Sequence, residues 1–159
     1  MDTPHKADPA IYPKLRERVL RSGFPSVANY PIQTVLMDSN LTNGTSSVLA
    51  GVDGSASIYL SSGGGFIGGG QKYPAIREAA LHAIQLATSL ESHFQKTETI
   101  DLPARGDIFF YLTTSTGVRR AIATEAKLST GEDPLTALGG AMQKIVTLYR
   151  LARVRTTPN

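Results

Sequence analysis

The sequence predicts an α+β domain in which a five-stranded antiparallel sheet carries helices on both faces, in the order α-βββ-α-ββ-α. Three observations lead to this fold class. Runs of alternating apolar residues are separated by Asn43-Gly44 and Asp53-Gly54, dipeptides that are typical of tight hairpin turns. The segment 74–94 has apolar residues at helical spacing. Within the segment 107–114, residues 108–112 are apolar without alternation, which indicates a strand covered on both faces.

A first helix is predicted over residues 13–22, after a flexible tail over residues 1–10. Pro13 suits the first position of a helix, and Gly23 suits its end. Leu15 and Val19 lie one turn apart and form an apolar face. Basic residues surround this pair: Lys14, Arg16, Arg18 and Arg21.

Three strands of a meander are predicted next, over 32–39, 46–52 and 55–61. Val35 and Met37 share one face of the first strand, because successive side chains of a strand point to opposite faces. Each of the other two strands also has one apolar face. It consists of Val48, Ala50 and Val52 in the second strand, and of Ala56, Ile58 and Leu60 in the third. The tight turns between these runs imply antiparallel pairing.

The second half of the sequence predicts two helices with a further hairpin between them. Pro74 opens the helix 74–94, whose apolar stripe is Ile76, Ala80, Ala83, Ala87, Leu90 and Phe94. A loop over 95–106 leads to a hairpin of strands 107–114 and 118–126. After a loop at 128–133, Asp133 is predicted to cap a last helix that runs to about residue 153. Its stripe is Leu135, Leu138, Met142, Ile145, Tyr149 and Ala152. One domain is therefore expected over 11–153, with a tail over 154–159.

Composition narrows the possible functions. A chain of 159 residues, 41% hydrophobic and 18% charged, is expected to bury one core. It contains no cysteine, which excludes disulfides, thiolate nucleophiles and zinc–sulfur sites. The first residues lack the pattern of a signal peptide, and no apolar run approaches the roughly 20 residues of a membrane span. A cytoplasmic protein without a membrane partner is expected.

The net charge is +3, and no acidic residue follows Asp133. The cations beyond that point are Lys144, Arg150, Arg153 and Arg155. They suit the C-terminal end of a helix, where positive charge favours the helix dipole. A nucleic-acid partner is not expected, because no aromatic residues for base stacking are interleaved with these cations.

The stretch SSGGGFIGGGQ, residues 61–71, contains six glycines, and these are candidate ligand-binding residues: Gly63, Gly64, Gly65, Gly68, Gly69 and Gly70. The spacing G-x-G-x-x-G is present, but a dinucleotide site needs a βαβ unit with a helix that begins at the glycines. Here a meander precedes them, and the predicted helix begins only at Pro74. A Walker loop is also disfavoured, because Gln71-Lys72-Tyr73 replaces Lys followed by Ser or Thr.

Two interpretations of this segment remain open. The glycines either allow bends and close backbone approaches in a strand end, or they present backbone N–H groups to an anion or a small ligand. Phe66 and Ile67, the apolar pair between the glycines, either enter the core or contact a partner chain.

The sequence shows no catalytic constellation, no metal site and no cofactor motif. His82 and His93 are eleven residues apart on the predicted helix, about 16 Å along its axis, which is too far for one metal ion. No G-x-S-x-G nucleophile elbow is present. An enzyme is therefore not the favoured class.

Residues 53–70 read D-G-x-A-S-x-Y-x-S-x-G-G-G-x-I-G-G-G, and with them residues 32–152 resemble a family of uncharacterised bacterial proteins. The layout is also similar to roadblock/profilin-like domains, which place a five-stranded antiparallel sheet between helices, often dimerise, and serve as scaffolds or regulators of small GTPases. Those domains have two strands before the central helix and three after it, whereas three and two are predicted here. The resemblance implies a non-enzymatic interaction or scaffold module with a possible protein partner, and the surplus of apolar residues on the short helices predicts a homodimer. The alternative is a protein that binds an anion or small ligand through Gly63–Gly70.

Overall fold

The computed structural model describes residues 11–22, 31–41 and 44–156 of the chain. In this part of the chain the helices and strands are, in order, α1 (Ile11–Ser22), β1 (Ile32–Leu41), β2 (Gly44–Gly51), β3 (Ala56–Leu60), β4 (Gly65–Phe66), α2 (Gly69–Lys72), α3 (Pro74–Ser89), a 3₁₀ turn (Glu91–His93), β5 (Gln95–Lys96), β6 (Asp107–Thr114), β7 (Gly117–Thr124), α4 (Glu125–Thr130) and α5 (Thr136–Thr156).

The strands form one sheet in the order β4-β3-β2-β1-β6-β7-β5, and every neighbouring pair is antiparallel. The predicted antiparallel sheet is confirmed, but the prediction of five strands is wrong, because the sheet has seven. The two additional strands, β4 and β5, are two residues long and lie at the two edges. A two-residue strand is too short to show alternation in a sequence.

Helices cover both faces of the sheet, as predicted. The two-residue period of β1 directs Val35 and Met37 into the core beneath α3 and α5, and Leu36 into the cluster beneath α1. Strand β6 lies beside β1 in the interior of the sheet. Its Phe110 belongs to the α3/α5 core and its Tyr111 to the α1 cluster, which explains why its sequence is apolar without alternation.

The element order also differs from the predicted α-βββ-α-ββ-α, because α2 and α4 are present in addition to the short strands. Helix α4 occupies the end of the predicted strand 118–126 and part of the predicted loop 128–133. The Thr124 hydroxyl accepts the Lys127 N–H at 3.3 Å, and Gly131 ends the helix with φ of +80°. Six residues are too few to display a helical period.

The longer helices are predicted correctly, and their ends are shifted. Helix α3 ends at Ser89, five residues before the predicted end, and the chain continues as the 3₁₀ turn. The Asp133 carboxylate accepts the Leu135 N–H at 2.8 Å ahead of α5, close to the predicted cap. Helix α5 reaches Thr156, three residues into the segment predicted as a tail.

Helix α1 begins two residues earlier than the prediction. The predicted tail 1–10, the helix stop at Gly23 and the turn residue Asn43 lie outside the described residues.

Candidate functional site

A buried ion pair joins α1 to the central strand β1. The side chain of Asp38 is inaccessible to solvent, and that of Arg16 is 6% exposed. Arg16 donates to Asp38 Oδ2 from Nε at 3.0 Å and from Nη2 at 2.6 Å. The sequence places Arg16 among the basic residues around an apolar stripe, and only the packing of α1 on the sheet reveals its burial.

Two hydroxyl groups extend this pair across the sheet. The β1–β2 register places Ser47 directly opposite Asp38, and its hydroxyl donates to Asp38 Oδ1. The Tyr12 hydroxyl lies 2.6 Å from Ser47 Oγ. Because the only hydroxyl hydrogen of Ser47 is used on Asp38, Tyr12 is the donor in this contact. Burial raises the pKa of Tyr12 to about 12.

Arg16 also forms hydrogen bonds with the segment between β5 and β6. Arg16 donates to the carbonyl oxygens of Ile100, at 2.5 Å, and Asp101, at 3.1 Å, and its guanidinium lies 5.2 Å from the centroid of the Tyr111 ring. Burial lowers the pKa of Arg16, but the hydrogen bonds and charge of Asp38 outweigh burial and raise that pKa above its ordinary value. For Asp38 burial is the larger effect and raises the pKa of the carboxyl.

Buried titratable groups with shifted pKa values often mark a functional site. Here the groups are enclosed beneath α1, with Tyr12 4% and Ser47 0% exposed. Among the described residues every buried side-chain nitrogen and oxygen has a hydrogen-bond partner. The cluster thus offers no open donor or acceptor to a substrate, and its role is to fasten α1 and the 97–106 segment to the sheet.

The glycine segment joins three elements through close backbone contacts. A Cβ atom at Gly65 in β4 would lie 2.1 Å from the carbonyl oxygen of Ile58 in β3. At Gly70 in α2, a Cβ atom would lie 1.9 Å from the carbonyl oxygen of Gly54. Real Cβ atoms do not approach oxygen so closely, so a side chain at either position would require the backbone to move. Both glycines are accounted for by packing.

Tyr149 of α5 forms a hydrogen bond with the same glycine segment. The Gly69 N–H donates to the Tyr149 hydroxyl at 2.7 Å, and this hydroxyl donates to the Ala56 carbonyl oxygen at 2.5 Å. A Cβ atom at Gly69 would lie 2.4 Å from the Tyr149 ring. Gly68 adopts the left-handed conformation, with φ of +82°, at the start of α2. The hydroxyl thus links the start of α2 to the start of β3.

An anion site at Gly63–Gly70 stays a prediction, and two of its backbone amides already donate within the chain. The Gly63 N–H donates to the Leu60 carbonyl oxygen at 3.0 Å, and the Gly69 N–H donates to Tyr149. Gly63 and Gly64 form the turn after β3 with positive φ angles of 99° and 96°. This turn joins β3 to its antiparallel neighbour β4.

The apolar pair within the segment is divided between core and surface. Phe66 is half-buried, and its ring centroid lies 5.4 Å from that of Tyr149. Ile67 is 71% exposed. Of the two predicted interface residues, Ile67 is therefore the one that a partner chain could contact.

The histidines and the C-terminal cations lie on the surface. His82 is exposed on α3, whereas His93 is exposed in the 3₁₀ turn and not on the helix that was predicted to carry both. The described residues contain no group of three or more His, Asp or Glu side chains placed to hold a metal ion. Lys144 and Arg150 are exposed on α5.

An open cleft of about 390 Å³ lies between α4, α5 and the sheet, and we call it the α4–α5 cleft. Its apolar part is formed by Met37, Ile108 and Leu128, with Gly139 and Gly140 of α5 beside them. The polar residues around it are Glu125, Ser129, Thr136 and Gln143. The sequence signal for this cleft is the Gly139-Gly140 pair inside a helix, but its other wall is α4, which was not predicted.

Comparison with known proteins gives no match: no family model, no curated protein and no solved structure matches this chain. None of the helices in the described ranges is both long and apolar enough to cross a membrane.

We expect Arg16→Met to lower the free energy of unfolding by about 3–5 kcal/mol, because the substitution leaves the Asp38 carboxylate buried without its partner. The double variant Arg16→Met/Asp38→Leu should recover much of this loss, since it removes both charges. Urea denaturation monitored by circular dichroism measures both values. Arg21→Met is the matched control, because Arg21 pairs with Glu17 at 3.4 Å in solvent, and a change below about 0.5 kcal/mol is expected there. A loss below about 1 kcal/mol for Arg16→Met would contradict the proposed fastening role.

The same substitution should have opposite effects at two glycines. Gly70→Ala should destabilise the protein by about 1–3 kcal/mol, because the methyl group meets the Gly54 carbonyl oxygen. Gly140→Ala should stabilise it by about 0.5–1 kcal/mol, because an added Cβ meets nothing within 4 Å and alanine favours the helix. Thermal unfolding of both variants checks the two signs. A melting temperature of Gly70→Ala equal to or above that of the wild type would show that the glycine segment tolerates side chains.

Proposed function

We propose that this protein is a non-enzymatic binding module and that the α4–α5 cleft is its ligand site. The observation that carries the proposal is the pair Gly139-Gly140 in the interior of α5. Each glycine costs a helix about 1 kcal/mol relative to alanine. Neither has a positive φ angle, and an added Cβ atom meets nothing closer than 3.7 Å at Gly139 and nothing within 4 Å at Gly140. Packing within the chain therefore does not require these glycines. Their lack of side chains leaves the cleft beside the helix open.

The residues around the cleft favour a small ligand with an apolar body. Met37, Ile108 and Leu128 supply the apolar contact surface, and a volume of about 390 Å³ lies in the range of small-molecule pockets. At its border Gln143 can donate and accept hydrogen bonds, whereas the hydroxyl groups of Ser129 and Thr136 donate to the Ala126 and Asp133 carbonyl oxygens and can accept from a ligand. The Glu125 carboxylate at the same border favours a neutral or positively charged head group over an anionic one.

A pair of matched probes tests this proposal. Hexylamine and hexanoate have the same apolar length and opposite charges. In a titration followed by methyl NMR, hexylamine should shift the signals of Ile108, Leu128 and Met37 with saturation on the order of millimolar, as expected for so small a ligand. Hexanoate should bind more weakly, because Glu125 repels its carboxylate.

Two substitutions on α5 locate the binding. Gly140→Leu should fill the cleft and abolish the hexylamine shifts, while circular dichroism shows that the fold is retained. Lys144→Leu adds the same side chain at an exposed position of α5 that does not line the cleft, and it should leave binding unchanged. Equal hexylamine affinity in the wild type and in Gly140→Leu would refute the cleft as the site.

A second proposal is the homodimeric interaction module that the sequence analysis predicts. The observation that favours it is Ile67, a large apolar side chain that is 71% exposed at the edge of the sheet beside β4. Burial of this side chain in a second copy would remove apolar surface from water. We expect light scattering to give twice the monomer mass of 17.0 kDa for the wild type and the monomer mass for Ile67→Ser. A monomeric wild type would exclude the dimer.

A further inference from the structure

The edge of the sheet formed by β5 and β7 carries a second cleft, of about 280 Å³, with a different chemistry. We call it the β5–β7 cleft. The side chains that define its chemistry are those of His93, Gln95, Lys96, Thr97, Arg120 and Ile122. With Ala121, seven residues line the cleft; five of them are polar, and none is acidic. Its chemistry is thus that of hydrogen-bond donors and positive charge.

Arg120 is the residue best placed to anchor a ligand there. Its side chain is 25% exposed, and its guanidinium lies 5.2 Å from the centroid of the Phe109 ring, which supports it from one side. Its polar contacts on the protein are long: 3.4 Å to Thr99 Oγ1 and 4.0 Å to Asp101 Oδ2. It also interacts with the Tyr111 hydroxyl. A guanidinium has five N–H donors, so these contacts leave donors for a ligand.

The β5–β7 register places Gln95 on the same face of the sheet as Arg120 and two further cations on the other face. Gln95 pairs with Arg120, and Lys96 pairs with Arg119, so two cations face each other across the strands. Like charges in directly opposite positions destabilise a strand pair. Glu91 lies 3.8 Å from Arg119 and offsets part of this repulsion. The side chains of His93, Gln95 and Lys96 make no hydrogen bond or ion pair with another described residue.

We propose that the β5–β7 cleft binds the oxyanion group of a small molecule, with Arg120 as the anchoring residue and Lys96 and His93 as additional contacts. An oxyanion would use the open donors of Arg120 and would lie beside the exposed Lys96 and His93, which line the same cleft. The arginine fork pairs with phosphate and with carboxylate oxygens alike, so the shared chemistry is the charged oxygen pair. This site is separate from the α4–α5 cleft and does not depend on the function proposed for it.

Titration of the full chain with three sodium salts at equal ionic strength tests this inference. Phosphate and acetate represent the two oxyanion sources, and chloride is the control for screening. We expect saturable shifts of the backbone amide NMR signals of residues 93–97 and 119–122 with phosphate, with acetate, or with both, and none with chloride. The salt that saturates at the lower concentration identifies the source of the oxyanion. Equal shifts with all three salts would overturn the proposal.

Substitutions of the anchoring residues complete the test. Arg120→Gln and Lys96→Gln should each lower the oxyanion affinity, Arg120→Gln by about tenfold or more, as expected for a hydrogen-bonded charge. Lys96 is exposed and has no partner among the described residues, so Lys96→Gln tests the site even where Arg120→Gln disturbs folding. Arg105→Gln and Lys127→Gln remove exposed cations outside the cleft and should leave the affinity unchanged. Unchanged affinity in Arg120→Gln and Lys96→Gln, or shifts confined to residues 63–70, would overturn the proposal.

Discussion

A carboxylate at the centre of the sheet constrains much of this structure. Asp38 lies on β1, the middle strand, with no exposure to solvent, and a buried charge is tolerated only when it is paired and hydrogen-bonded. Arg16 and Ser47 supply that pairing, so α1 has to lie over β1 and β2. The same guanidinium binds two carbonyl groups of the segment between β5 and β6. One ion pair thereby places a helix, a strand and a long connecting segment relative to one another.

Small residues make the packing on the opposite face possible. The side of α3 that faces the sheet is built largely from alanine, and α2 contacts the chain around Gly54 through glycine. Tyr149 spans the space that these small residues leave. Its hydroxyl accepts a hydrogen bond from the Gly69 N–H and donates one to the Ala56 carbonyl oxygen. The glycine-rich segment is therefore part of the architecture between β3 and α3. Close backbone approach is the property of glycine that matters at Gly65 and Gly70, and conformational freedom matters at Gly68.

The proposed functions rest on surfaces that short elements create. The titratable groups with the clearest pKa shifts are sealed beneath α1, whereas both clefts are open. One wall of the α4–α5 cleft is a six-residue helix, and one wall of the β5–β7 cleft is a two-residue strand. Neither element has enough residues to show a period, so sequence patterns predict neither cleft. The Gly139-Gly140 pair is present in the sequence, but only the structure shows that it lies beside a cleft.

The sequence by itself determined the fold class, the five long strands, their antiparallel hairpins and the three longest helices, because alternation, helical spacing and turn dipeptides are local properties of the chain. It also determined that Val35 and Met37 face one side of the sheet and Leu36 the other. Only the tertiary structure decided that Arg16 is buried, that Phe66 packs on Tyr149 while Ile67 is exposed, and that His93 and Arg120 border one cleft. Each of these outcomes depends on contacts between residues that are distant in the chain. No local pattern encodes such contacts, because they arise only when helices and strands pack together.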